Sequence, residues 1–274
     1  MKKVLLFFLL VIATLTFIWA NTDKRPMTVD DSLNIVTVRD VQLSPDGTRV
    51  FYGLEKLDWP KNDYKNTYFM CDEYGKNKKI FLREDLKASR FKFSPDGNFL
   101  SFISKANKTN QIFLIPVDGG EAHQLTEHPV NVKDYVWQHD SSAIIFRADE
   151  ARTPEEQKEY EMGADAIFVD EAPNGRENAR FSRLWYFDLK TKKETVICEE
   201  DLMISDFDVS RDGKRIVFVG SPDMRTNYPF LAELFTINTD GTDFLQITKN
   251  KGPEDNPKWS PNGEKILFHA SYLS

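Results

Sequence analysis

The chain has 274 residues, of which 41% are hydrophobic and 29% charged, an ordinary globular balance with room for a sizeable core. Its net charge of −7 gives no basic face of the kind nucleic acid needs, so no nucleic-acid partner is expected. Two cysteines, Cys71 and Cys198, are too few for a disulfide framework and are expected as two buried thiols.

The N-terminus reads Met1-Lys2-Lys3 followed by an apolar run from Val4 to Ala20. A basic n-region before an apolar stretch is the pattern of a secretory signal, so residues 1–20 are expected to be a signal peptide cleaved after Ala20. Without it the chain carries 34 basic against 43 acidic residues, a charge of −9 that serves solubility. The alternative is a retained N-terminal anchor; either way the remainder is exported, periplasmic or secreted. No later segment is apolar enough for a span. Residues 21–37 are a lead-in.

A five-residue phrase then recurs. It stands at Leu43-Ser44-Pro45-Asp46-Gly47 and Phe93-Ser94-Pro95-Asp96-Gly97, with weaker copies at Val209-Ser210-Arg211-Asp212-Gly213 and Trp259-Ser260-Pro261-Asn262-Gly263. Pro presets φ in a turn, Asp or Asn bonds back to nearby backbone, and Gly takes the positive-φ position. Each copy lies between two short apolar runs, so each marks a strand–turn–strand unit. Blade one is predicted at Val41–Leu43, Arg49–Leu54, Thr67–Cys71 and Lys79–Leu82. Blade two is predicted at Arg90–Phe93, Phe99–Ser104, Gln111–Val117 and His123–Leu125, closing on Leu125-Thr126. Blade three has a degraded turn at Trp137-Gln138-His139-Asp140-Ser141, then Ala143–Phe146, Leu184–Leu189 and Glu194–Cys198. Blade four is predicted at Asp206–Val209, Arg215–Val219, Glu233–Asn238 and Phe244–Ile247, closing on Ile247-Thr248. Blade five offers Pro257–Trp259 and Lys265–His269.

The spacing fixes the architecture. Ser44 to Ser94 is 50 residues, Ser94 to Gln138 is 44, and Ser210 to Ser260 is 50. Four strands per period of this length predict an all-β fold: a β-propeller of four-stranded blades over 38–274, incomplete at about four and a half blades. Blade five should leave an exposed edge at Lys265–His269. Gln138 to Ser210 is 72 residues, so blade three carries an insertion of about 25 residues, within 149–180. Thr153-Pro154-Glu155-Glu156 is a helix start with a capping box, and the helix should run to about Met162 with Gly163 just beyond. Asp165–Glu171 should be a short strand.

No G-x-S-x-G elbow, P-loop, dinucleotide fingerprint or H-E-x-x-H occurs, so no catalytic residue, metal ligand or cofactor is assigned and the chain as it stands is not expected to be an enzyme. His123 and His128 are expected as solvated loop residues. Trp137, Trp185 and Trp259 are expected in strands as core aromatics. Asp170 and Glu171, ending the insert strand, are the acidic pair for a substrate contact. Arg176, Arg180 and Arg183, near the insert exit, are of the type that recognises carboxylates. Surface or structural roles remain open for all of them.

Together these features resemble a known family. The run Val38-Arg39-Asp40-Val41-Gln42-Leu43-Ser44-Pro45-Asp46-Gly47, the further Ser-Pro-Asp-Gly blades, the insert ending Gly163-Ala164-Asp165-Ala166-Ile167-Phe168-Val169-Asp170-Glu171 and the strand Arg183-Leu184-Trp185-Tyr186-Phe187-Asp188-Leu189 carry the likeness. The sequence is similar to the N-terminal propeller of exported prolyl-oligopeptidase-family serine peptidases, in the acylaminoacyl-peptidase and dipeptidyl-peptidase-like branch. The resemblance implies a seven- or eight-bladed propeller capping a C-terminal α/β-hydrolase domain with a Ser-Asp-His triad. It implies a peptide substrate, with the propeller filtering by size and positioning the peptide. This sequence would then be an N-terminal fragment lacking that domain, with Asp170, Glu171, Arg180 and Arg183 as substrate-binding candidates. The Ser-Pro-Asp-Gly phrase is shared with TolB-type propellers, so a TolB-like periplasmic binding scaffold is the alternative.

Overall fold

The computed structural model describes residues 25–82, 87–163, 180–222, 231–249 and 252–271. Each predicted blade is an antiparallel sheet with its strands in chain order. Blade one comprises β1 (Thr37–Leu43), β2 (Arg49–Asp58), β3 (Asp63–Asp72) and β4 (Lys79–Leu82). Blade two comprises β5 (Ser89–Phe93), β6 (Phe99–Ala106), β7 (Thr109–Pro116) and β8 (His123–Gln124). Blade three comprises β9 (Val132–Trp137), β10 (Ala143–Asp149), β11 (Ser182–Asp188) and β12 (Glu194–Cys198). Blade four comprises β13 (Met203–Val209), β14 (Arg215–Ser221), β15 (Glu233–Asn238) and β16 (Leu245–Gln246); β17 (Glu254–Trp259) and β18 (Ile266–Ala270) form a two-stranded fifth sheet. This is the all-β, four-stranded-blade propeller expected from the repeat. In the fifth sheet Leu267 is 74% exposed.

The recurring phrase works as a closed set of hydrogen bonds. In blade one Ser44 Oγ donates to Asp46 (2.6 Å), Asp46 accepts from the Thr48 N–H (3.1 Å), and Ser44 Oγ accepts from the Arg49 N–H (2.9 Å). The same three bonds recur at Ser94/Asp96 and Ser210/Asp212. Gly47, Gly97 and Gly213 take φ of 75°, 74° and 72°. In the degraded third copy Ser141 occupies the glycine position at φ 60°, and Gln138 replaces the serine. Its side chain instead donates to the Gly213 carbonyl (2.9 Å), tying blade three to the turn of blade four.

These turns predict an acid-labile stability. The Ser44 hydroxyl, helped by the Thr48 N–H and hydroxyl, holds the Asp46 carboxyl down to about 2. Asp212 is lowered by Ser210 and the Lys214 N–H, and Asp140 by Ser142. An unfolded Asp titrates near ~3.9, so a depressed native pKa contributes stability that is complete above about pH 4 and lost as pH falls toward about 2. The urea midpoint is expected to drop across that window, and Asp46→Asn to flatten the drop.

The blade-closing Leu/Ile-Thr pairs share a second geometry. The Thr126 hydroxyl accepts from the Ile112 N–H (3.0 Å) and the Thr248 hydroxyl from the Leu234 N–H (2.7 Å). The fourth strands β8 and β16 span two residues each, so a side-chain oxygen satisfies a backbone donor that such a short strand cannot reach.

The core lies between successive sheets. Strand β10 shows how: Ile144, Phe146 and Ala148 face a cluster shared with Ile103, Ile112 and Leu114 of blade two, while Ile145 packs with Ile204, Phe207 and Phe218 of blade four. The two-residue period of a strand buried on both faces makes this division. A ladder of aromatic pairs joins second and third strands. Tyr52–Phe69, Phe102–Phe113, Phe146–Trp185 and Phe218–Phe235 stack at 5.6, 5.7, 6.3 and 5.6 Å. The last three pairs are direct cross-strand partners, the arrangement in which facing side chains contribute most to sheet stability.

Two helices are described. The capping box at Thr153/Glu156 starts α2 (Pro154–Glu161), and Gly163 follows at φ 84°, as predicted. The earlier helix, α1 (Val29–Leu33), has its own capping box at Thr28/Asp31. Residues 25–37 belong to a compact unit with Glu55–Asn66, the tip of the β2–β3 hairpin. Within this unit the Trp59 indole N–H donates to Asn34 (2.9 Å), and Arg25 forks onto Asp31. Among the described residues no helix is long and apolar enough to cross a membrane.

Candidate functional site

The first strands of successive blades lie side by side, β13 against both β9 and β17. The first strands of blades two to five carry the same irregularity. Between Ser89 and Lys92, Val132 and Asp134, Ile204 and Phe207, and Asp255 and Lys258, the first strand spends one residue more than its partner. A bulge of this kind re-aims a side chain and sharpens the local twist. Counted from the turn serine or its equivalent, the residue four positions earlier is Asp40, Arg90, Asp134, Asp206 or Asn256. Asp40, Arg90 and Asn256 adopt left-handed backbones, at φ 54°, 58° and 51°.

For Arg90 that conformation costs on the order of 1 kcal/mol, and its surroundings hold it in place. The buried Tyr135 hydroxyl donates to the Arg90 carbonyl (2.7 Å) and lies 2.8 Å from Ser101 Oγ. Ser101 donates to the Lys92 carbonyl (2.8 Å) and accepts from the Trp137 indole N–H (2.8 Å). Burial pushes the Tyr135 phenol well up, so it stays a neutral donor. One serine therefore fixes both sides of the blade-two bulge against blade three.

The bulged strands bring a band of charges together. Asp134 pairs with Arg90 (3.6 Å) and Lys92 (3.4 Å), and Lys92 also donates to the Tyr135 carbonyl. Burial pulls the Lys92 ammonium down, with Asp134 acting against it. Lys133 pairs with Asp149. Asp208 receives the Trp259 N–H (2.9 Å) and pairs with Lys258 (3.4 Å), and Asp206 receives the Asn256 N–H (3.3 Å). Charged side chains thus join blade two to blade three, and blade four to blade five. What the arrangement offers a ligand is a strip of mixed charge on rigid strands.

Of the residues singled out in sequence, Asp170, Glu171 and Arg176 lie outside the described residues. Arg180 pairs with Glu156 (3.0 Å), the same glutamate that completes the capping box of α2. Arg183 on β11 pairs with Glu150 and Asp201 and donates to the Glu200 carbonyl. Both arginines are engaged within the chain and fasten the base of the insert.

His128 departs from the solvated loop residue expected. It is 4% exposed, bonds Glu194 through Nδ1 (2.8 Å), and meets the rings of Phe146 and Trp185 edge-on. The partners come from strands 18 to 66 residues further on, which is why local sequence gave no sign of them. Cys71 and Cys198 are buried free thiols, and burial raises the Cys198 thiol. Among the described residues no cluster of His, Cys, Asp or Glu is arranged to hold a metal.

No protein-family model matches the chain. It is 24% identical over 249 residues to the uncharacterized peptidase YuxL of Bacillus subtilis, covering 90% of this chain and 32% of that protein. The acylaminoacyl peptidase of Pyrococcus horikoshii shares its fold with a TM-score of 0.62 at 21% identity, over 87% of this chain and 36% of that one. TolB from Acinetobacter baumannii does so with a TM-score of 0.53 at 15% identity, over 84% of this chain and 48% of that one. The chain spans about a third of the length of each of these two peptidases. Peptidase relatives and a shared propeller fold agree with the resemblance stated from sequence.

Proposed function

We propose that this chain is the propeller portion of an exported serine peptidase of the prolyl oligopeptidase family. It is non-catalytic in itself. It gates and positions peptides for an α/β-hydrolase domain outside this sequence. The observation that carries the reading is the match to a peptidase over 90% of the chain. The charged strip on the bulged first strands supports it, because a short peptide presents opposite charges at its two ends. Asp170 and Glu171 hold the peptide's amino terminus in this reading. Arg180 and Arg183 position the insert that carries them. Export rests on Met1–Ala20, a basic start followed by an apolar run.

The second reading, a TolB-like binding scaffold, is favoured by the TolB fold match. The two differ in ligand. Fluorescence anisotropy with labelled peptides of three to six residues, with mass spectrometry of the mixture, is expected to show binding without cleavage. Cleavage by this chain, or binding of a folded protein with no binding of short peptides, contradicts the proposal.

A further inference from the structure

The repeat supplies an internal standard for every position. Nine residues after the turn serine, blades one, two and four carry Gly53, Ile103 and Val219, all buried. Blade five carries His269, exposed on the outermost strand and paired with Asp255. Blade three, counted from Gln138, carries Arg147. An arginine therefore stands where the other interior blades pack a small or apolar residue.

Its neighbours do not account for it. The Arg147 Nε is shut off from solvent without a hydrogen-bond partner. Among the described residues its guanidinium makes no hydrogen bond and no ion pair. Asp134 stands directly opposite on β9, and Asp149 lies two residues on along β10. Asp134, Asp149 and Asp206 all act on Arg147 at longer range. Each is already engaged: Asp134 by Arg90 and Lys92, Asp149 by Lys133 and Ser182, Asp206 by the Asn256 N–H. Four cations, Arg90, Lys92, Lys133 and Arg147, thus meet three carboxylates. Arg147 is half-buried, with its Nε alone shut off from solvent, so its charge is partly desolvated without a partner, and that cost is recovered when a ligand supplies one.

We propose that Arg147 receives the α-carboxylate of a short peptide. With Lys258 and Asp208 included, five cations of the band meet four carboxylates; one carboxylate evens the balance, and a dianion would overshoot it. The planar guanidinium fork accepts a carboxylate through two parallel bonds, which no other cation in the band can do from an unpaired state. The proposal rests on the peptide-handling reading above and adds which end of the peptide is held, and by what.

Calorimetric titration of the full chain with trialanine, as the free acid and as the C-terminal amide, tests it. The free acid is expected to bind at least tenfold more tightly than the amide. Arg147→Met is expected to abolish that preference while unfolding at the same temperature or higher, since no partner is stranded. Arg147→Lys should retain part of it. Equal binding of acid and amide by the native chain overturns this inference and leaves the peptide reading standing. No binding of either peptide overturns both. An undiminished preference in Arg147→Met, or an Arg147→Met protein that melts lower and still prefers the acid, assigns Arg147 a structural role and overturns the proposal.

Discussion

Ser101→Ala is expected to destabilise the protein by about 3 kcal/mol, because one buried hydroxyl serves three groups at once. Removing it strands the Trp137 indole N–H, takes one donor from the Lys92 carbonyl, and leaves Tyr135 with the Arg90 carbonyl alone. Ser101 is fully buried, so water does not readily take its place. The left-handed backbone at Arg90 is held through this network, and the loss therefore reaches the charged strip as well as the core. Urea unfolding followed by tryptophan fluorescence measures it. A lowered midpoint with an unchanged slope is expected. A loss below about 1 kcal/mol would mean that the stranded groups find other partners.

Phe146→Ala should cost still more, about 3–5 kcal/mol. Phe146 is fully buried, faces Trp185 directly across the sheet, and meets the His128 ring at 5.0 Å. Truncation removes one rung of the aromatic ladder and opens a cavity between blades two and three. It also withdraws the apolar wall that encloses the His128–Glu194 pair. The same urea titration applies. A loss near 1 kcal/mol would show that blades two and three close over the gap.

Much of the scaffold is readable in the chain because its determinants are local. Ser44, Asp46 and Gly47 each make a bond or adopt a φ fixed by the residue type itself, and the phrase is therefore visible wherever it recurs. Thr153 and Glu156 announce α2 for the same reason. The bulges are a different matter. In blades two to five their key position holds Arg90, Asp134, Asp206 and Asn256, a polar set that is common in any loop or strand edge, and what places Arg90 is a hydroxyl 45 residues away. The β2–β3 hairpin also runs past its predicted ends, through Asp58 and from Asp63, because Trp59-Pro60 makes the tip of a hairpin and not a break between strands. Of the candidate site, Arg180 and Arg183 were identifiable as cations near the insert. Their partners Glu156, Glu150 and Asp201 follow only from the fold. Arg147 stood one residue beyond a strand predicted to end at Phe146, whereas β10 runs on to Asp149. It becomes conspicuous only when β10 is aligned with the other second strands in the register of the structure.

On the proposed function, the first strands of the blades present a peptide-positioning surface. A length series of labelled peptides, from two to sixteen residues, tests it most directly when titrated into the full chain by anisotropy. Saturable binding of the short members that weakens with increasing length is expected, with every peptide recovered intact. Binding that is absent for all short members, or indifferent to length and matched by folded proteins, would contradict it.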